Sequence, residues 1–180
     1  KSEDLNATSL NEHFCTIGPK LRESIPCYTG ISNKDFLTSQ NQCSLKSFAP
    51  VSSEVIDSYI KSLSSSKAIT DHIPLKVFKA ITPILLHCIT HIVNLSLSSG
   101  KVPDIYKIAN VTPIHKGEDP NESDNYRPIS ILPIVSKCIE HCVSEQVTTY
   151  FESNHLLTNN QYGFRKNHST TYLTLDLFDE

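Results

Sequence analysis

A chain of 180 residues holds one domain with a real core, or one domain and a loosely ordered arm. Its 38% hydrophobic and 19% charged residues are those of an ordinary globular protein. Sixteen Lys and Arg against nineteen Asp and Glu give a formal net charge of -3, which argues against a free-standing nucleic-acid binder with a basic face and confines any such contact to a local patch.

Residues 1–48 mix polar runs with scattered apolar side chains, punctuated by Gly18, Pro19, Pro26 and Gly30. They read as an N-terminal arm or linker with one short helix over residues 10–17. From Ser52 the pattern sharpens: a serine at the N-cap, Glu54 in the first turn, and Val55, Ile56, Tyr59, Ile60 and Leu63 at helical spacing predict an amphipathic helix that ends in serines 64–66. A second helix is expected over 74–80. A third is expected from Pro83, with Leu85, Cys88, Ile89, Ile92 and Val93 on one face and Gly100 closing it. The three would pack as a small helical layer.

The period then changes. Residues 108–115 and 126–131 are compatible with strands, and the polar stretch 117–125 between them predicts the tip of an antiparallel hairpin. After Pro133 the helical period returns with Val135, Cys138, Ile139, Cys142, Val143, Val147 and Tyr150. A turn over 152–160 and the segment 161–165 lead to a last helix beginning after His168, Ser169 and Thr170.

Six cysteines, at 15, 27, 43, 88, 138 and 142, follow no CxxC pairing, and no signal segment precedes them. They read as reduced thiols of an intracellular protein, in nucleus or cytoplasm. The apolar stretch 84–97 is interrupted by His87, Thr90, His91, Asn94 and Ser96, so no membrane span is expected. His87 and His91 are spaced to meet one zinc ion, but no third ligand is visible and helix-surface histidines are the simpler reading. Cys138 and Cys142 read as small hydrophobes on a buried face. The loop 117–125 shares only acidity with a calcium loop.

Three segments together carry a family likeness: ANVTPIHK at 109–116; NYRPISILP at 125–133, with Ser136, Lys137 and Glu140 behind it; and QYGFR at 161–165, with Ser169 and Thr170. In this order they resemble the fingers of the reverse transcriptases (RNA-directed DNA polymerases) of non-LTR, LINE-like retrotransposons of the jockey type. The similarity covers about residues 50–180, and more loosely Asn11, Glu12, His13 and Phe14. One departure is visible: the family usually has a glycine between the Lys67-Ala68 pair and Asp71, where only Ile69 and Thr70 stand here.

The resemblance implies an α+β fold: the helix-rich fingers region of a right-hand polymerase with an antiparallel β-hairpin, the palm missing. Residues 1–48 would be the arm, and 49–180 a partial reverse transcriptase domain truncated before the palm's catalytic motifs. Nucleotidyl transfer needs two metal ions held by carboxylates. The resemblance places those carboxylates and their Mg2+ in the palm, so no catalytic residue and no metal ligand is assigned, and none is expected to be bound by this chain alone. Asp176 and Asp179 imitate the first carboxylate motif, but they follow 161–165 too closely and continue a helix, which makes them exposed helix carboxylates.

By motif, Lys116 and Arg127 match the positions that grip the triphosphate of the deoxynucleotide, a point charge and a planar fork respectively. The bland alternative is that Lys116 solvates a strand end and Arg127 pairs with Asp119, Glu122 or Asp124. Gln161, Gly163 and Arg165 would lie beside the template, against a plain turn with a surface arginine. Tyr126 would stack on template or pack within the fingers. The implied partners are an RNA template, a DNA primer, a deoxynucleotide, and the palm and thumb of the same polypeptide. The reading is therefore a polymerase fragment that binds template and deoxynucleotide and is inactive alone. The rivals are a non-catalytic RNA- or protein-binding module derived from a reverse transcriptase, and a relic without function.

Overall fold

Asn6 starts the first helix. Its side chain accepts hydrogen bonds from the backbone N–H groups of Thr8 and Ser9, both at 3.0 Å, and the Ser9 hydroxyl accepts in turn from the Asn6 N–H. The helix that follows, α1 (Ala7–Ser24), runs through Gly18 and Pro19 and is longer than the predicted 10–17. Pro19 removes only its own N–H, and Cys15, whose carbonyl would have received it, lies on an exposed turn where water can serve instead. The computed structural model describes residues 5–26, 44–64, 73–158 and 160–179. Gly30, Cys27, Cys43, serines 65 and 66, and the Lys67–Asp71 spacing fall outside the described residues, as do the side chains of Asp176 and Asp179.

Helix α2 (Ser53–Ser62) forms where the serine cap and apolar spacing predict it, and buries Ile56 and Ile60 completely. The Ser52 hydroxyl bonds the Glu54 carboxylate, which holds that carboxyl below the usual range, and makes no bond to the helix backbone. The two helices expected over 74–80 and from Pro83 are one, α3 (Leu75–Ser99), with Pro83 inside it. An interior proline costs about 3 kcal/mol. Here Phe78 and Thr82 before it and Ile89, Val93 and Leu97 after it are all buried, so tertiary packing holds both halves in one continuous helix. Cys88, expected on that face, is exposed, as are His87 and His91. Gly100 ends the helix at φ 67°, the left-handed geometry that favours glycine there.

Helix α4 (Ile134–Ser153) packs with α2 and α3 around one core, in which Ile56, Ile60, Val93, Ile134 and Cys138 are fully enclosed. The layer predicted from the first three helices is thus built from α2, α3 and α4. Burial pushes the Cys138 thiol up to about 12, with Cys142 one turn away adding to the shift, so both thiols act as apolar core groups. The chain before α2 is stitched to this layer by two side-chain amides. Asn94 exchanges hydrogen bonds of 2.8 and 2.9 Å with the Val51 backbone, and Gln146 exchanges bonds of 2.7 and 3.0 Å with that of Ala49.

A 3-10 turn (Asp104–Lys107) leads to the hairpin, β1 (Asn110–His115) and β2 (Tyr126–Ile131), paired antiparallel. The first strand begins two residues later than the predicted 108, and the second matches 126–131. The last helix, α5 (Thr170–Asp179), starts where expected. The architecture is α+β: a helical layer and one two-stranded hairpin. As a single helix α3 is long and apolar enough to cross a membrane by length and composition, which the expectation drawn from 84–97 missed. A core helix meets the same criterion, and α3 supplies eight buried residues to the described structure.

Candidate nucleotide- and template-binding site

The register of the hairpin decides which side chains share a face. Pro113 stands opposite Pro128, and neither has an N–H, so this is a pair without mutual hydrogen bonds. The neighbouring pairs, Thr112 with Ile129 and Ile114 with Arg127, are then the hydrogen-bonded ones, and the Lys116 N–H donates to the Asn125 carbonyl at 2.8 Å one step beyond. Because side chains alternate, Thr112, Ile114 and Lys116 share one face with Arg127 and Ile129. Val111, Pro113, His115, Tyr126 and Pro128 share the other. The two cations singled out from the sequence lie on the same face, and Tyr126 lies on the opposite one.

The second face is partly covered by α1. A cavity of about 320 Å³ is lined by Ala7, Leu10, Asn11 and Phe14 of the helix and by Ala109, Val111 and Pro113 of the hairpin. Leu10 is buried there. Further along, the His13 Nε2 sits 3.3 Å from an Asp124 carboxylate oxygen, at an angle that makes no hydrogen bond. Asn11, His13 and Phe14, from the stretch that carried the looser part of the family likeness, are among the residues that meet the hairpin.

On the first face Ile114, Arg127 and Ile129 are exposed. No ion pair among the described residues involves Arg127. Of the acidic side chains that the bland alternative offered it, Asp124 faces His13 and Asp119 bonds Asn121. Lys116 is less free. Its Nζ donates to the Asp124 carbonyl at 2.7 Å, across the hairpin mouth that Gly117 turns at φ 104°. The Tyr126 hydroxyl donates to the Pro120 carbonyl at 2.9 Å and its ring lies 5.1 Å from that of His115, so Tyr126 is folded into the tip.

Gln161, Gly163 and Arg165 lie together in the turn between α4 and α5, a separate locus on the chain. Gln161 and Gly163 are exposed, and a Cβ built at Gly163 would meet nothing within 4 Å. Arg165 is engaged: its Nε and Nη2 donate to the two Glu152 carboxylate oxygens at 3.0 and 2.7 Å, and its Nη1 donates to the Thr158 carbonyl at 3.1 Å. The guanidinium lowers the Glu152 carboxyl below its usual range. Phe164, which the sequence reading passed over, is fully exposed at φ 61°. Its place in a QYGFR string was the one signal available. Among the described residues no three His, Cys, Asp or Glu side chains converge as a metal cage.

No protein-family model matches this chain. It is 33% identical over 123 residues to a probable RNA-directed DNA polymerase from transposon BS of Drosophila melanogaster, and 30% identical over 139 residues to the RNA-directed DNA polymerase from mobile element jockey of the same fly. Those alignments take in 67% and 76% of this chain but 14% and 15% of the two relatives. A third relative, a probable RNA-directed DNA polymerase from transposon X-element, is 31% identical over 93 residues, 51% of this chain and 10% of its own length.

Proposed function

This chain belongs by sequence to the RNA-directed DNA polymerases of non-LTR mobile elements, and from that premise we propose that it forms the fingers of such an enzyme, binding deoxynucleotide and template. The observation that carries the reading is the shared open face of Lys116 and Arg127 on the hairpin. A triphosphate needs converging cations, and Arg127 adds a fork able to bind two oxygens at once.

The turn holding Gln161 and Gly163 is our template contact. Gly163 has neither a positive φ nor a neighbour that a Cβ would strike. A requirement for glycine there would therefore come from the close approach of a strand from outside the chain. Among the described residues no three His, Cys, Asp or Glu side chains converge, and our proposal is that this chain binds and orients and that alone it extends no primer.

The test uses a polypeptide that continues this chain to the length of its relatives, assayed for primer extension on an RNA template. Lys116→Ala should raise the KM for deoxynucleotide by about 10-fold, the equivalent of roughly 1.4 kcal/mol of lost phosphate contact. An enzyme that extends primers with an unchanged KM in that variant would count against the assignment, and so would extension by the 180 residues alone.

A further inference from the structure

The fork of Arg165 is already occupied. Two N–H groups on one edge, Nε and Nη2, meet the two oxygens of Glu152, a third N–H meets the Thr158 carbonyl, and the side chain is only 12% exposed. A phosphate approaching the same bidentate edge would have to displace a carboxylate held in good geometry. What the pair does instead is close a loop. Glu152 stands in the last turn of α4, and Arg165 follows Gln161, Gly163 and Phe164.

Two residues inside that loop, His155 at φ 51° and Phe164 at φ 61°, and Asn167 just after it at φ 62°, take the left-handed backbone, which His and Asn enter more readily than the bulky Phe164 does. Backbone bonds from His155 to Glu152, from Gln161 to Thr158 and from His168 to Arg165 are local and weakly spaced. The ion pair is the long link that ties the far end of the loop to a helix. The aromatic ring of Phe164 is turned fully outward by this arrangement.

We propose that Glu152 and Arg165 form a clamp that positions the turn carrying Gln161, Gly163 and Phe164, so that Arg165 is a positioning residue and not a phosphate contact. This rests on the reading of that turn as the template contact, but only for what the clamp serves. The clamp itself can be read without nucleic acid.

The experiment has two arms on the 180-residue chain. In the first, amide hydrogen exchange is followed over residues 154–168 in the native chain, in Glu152→Gln, in Arg165→Gln and in the double variant. A clamp predicts at least about 10-fold faster exchange in each single variant and no further loss in the double, because both singles break one interaction. Unchanged protection in Glu152→Gln would overturn the proposal. In the second arm, affinity for a single-stranded RNA oligonucleotide is measured against salt. A positioning role predicts weaker binding in both single variants with an unaltered salt slope. A phosphate contact predicts a slope lower by about 0.7 in Arg165→Gln and tighter binding in Glu152→Gln, and that result would also overturn it. Should the native chain bind no RNA, the template reading fails while the exchange arm still decides the clamp.

Discussion

Arg127 escapes the acidic tip because of the pleat. Its side chain leaves the strand on the face opposite Tyr126 and His115, while Asp124 turns toward His13. Its replacement should therefore cost little in stability: Arg127→Ala is expected within about 0.5 kcal/mol of the native chain in urea unfolding. Asn94 is the contrast. It satisfies both backbone groups of Val51 in a half-buried site, so Asn94→Ala should cost about 1–3 kcal/mol in the same measurement. Glu152 gives the pH dependence. Its carboxyl is lowered by Arg165, so its contribution is present above the ordinary glutamate range and is lost as pH falls through the lower folded value. Exchange protection over 154–168 should accordingly hold at neutral pH and be lost only as pH falls below the ordinary glutamate range, and this fall should be absent in Glu152→Gln. Neither partner of that pair was legible in the sequence as a partner, because they stand 13 positions apart and two left-handed backbone positions between them, His155 and Phe164, bring them together.

At the scale of elements, the hairpin was legible because its signals are local: β-compatible runs on either side of a polar tip. Which residues share a face was not, since that depends on register, and the facing prolines supply it only once the strands are paired. The same prolines remove an outward N–H from each edge, which blunts the ribbon against pairing with another chain. Helix α3 shows the opposite failure. The local rule ends a helix at Pro83, but packing across both halves overrides it. Pro83→Ala should stabilise the chain by up to about 3 kcal/mol in thermal or urea unfolding, and a loss of stability would mean that the proline sets a bend the core requires. The length of α1 was hidden by its glycine and proline, and its docking by the distance in sequence from Leu10 to Val111. Leu10→Ala should cost about 2–4 kcal/mol if α1 unfolds with the rest; local loss of exchange protection in α1 and β1 alone would show it to be a separately opening brace.

The whole molecule divides its work. The core shared by α2, α3 and α4 supplies cohesion, and Ile60→Ala, at a fully enclosed site between α2 and its neighbours, should lower stability by about 2–5 kcal/mol. The groups read as functional project from that core on the hairpin and on the turn before α5. The order of the three motifs was visible in the sequence, but what separates the hairpin's two faces, and what occupies Arg165, emerges only from the tertiary arrangement. We propose that the open face of the hairpin receives a deoxynucleotide. This is tested most directly by steady-state primer extension on RNA with a polypeptide extended to the length of its relatives, comparing the native sequence with Arg127→Ala. The expected result is a KM for deoxynucleotide raised by about 10- to 100-fold, the loss expected for a charge-assisted phosphate contact, with the affinity for the primer and template unchanged. A KM that does not move, in an enzyme that still extends primers, would contradict it.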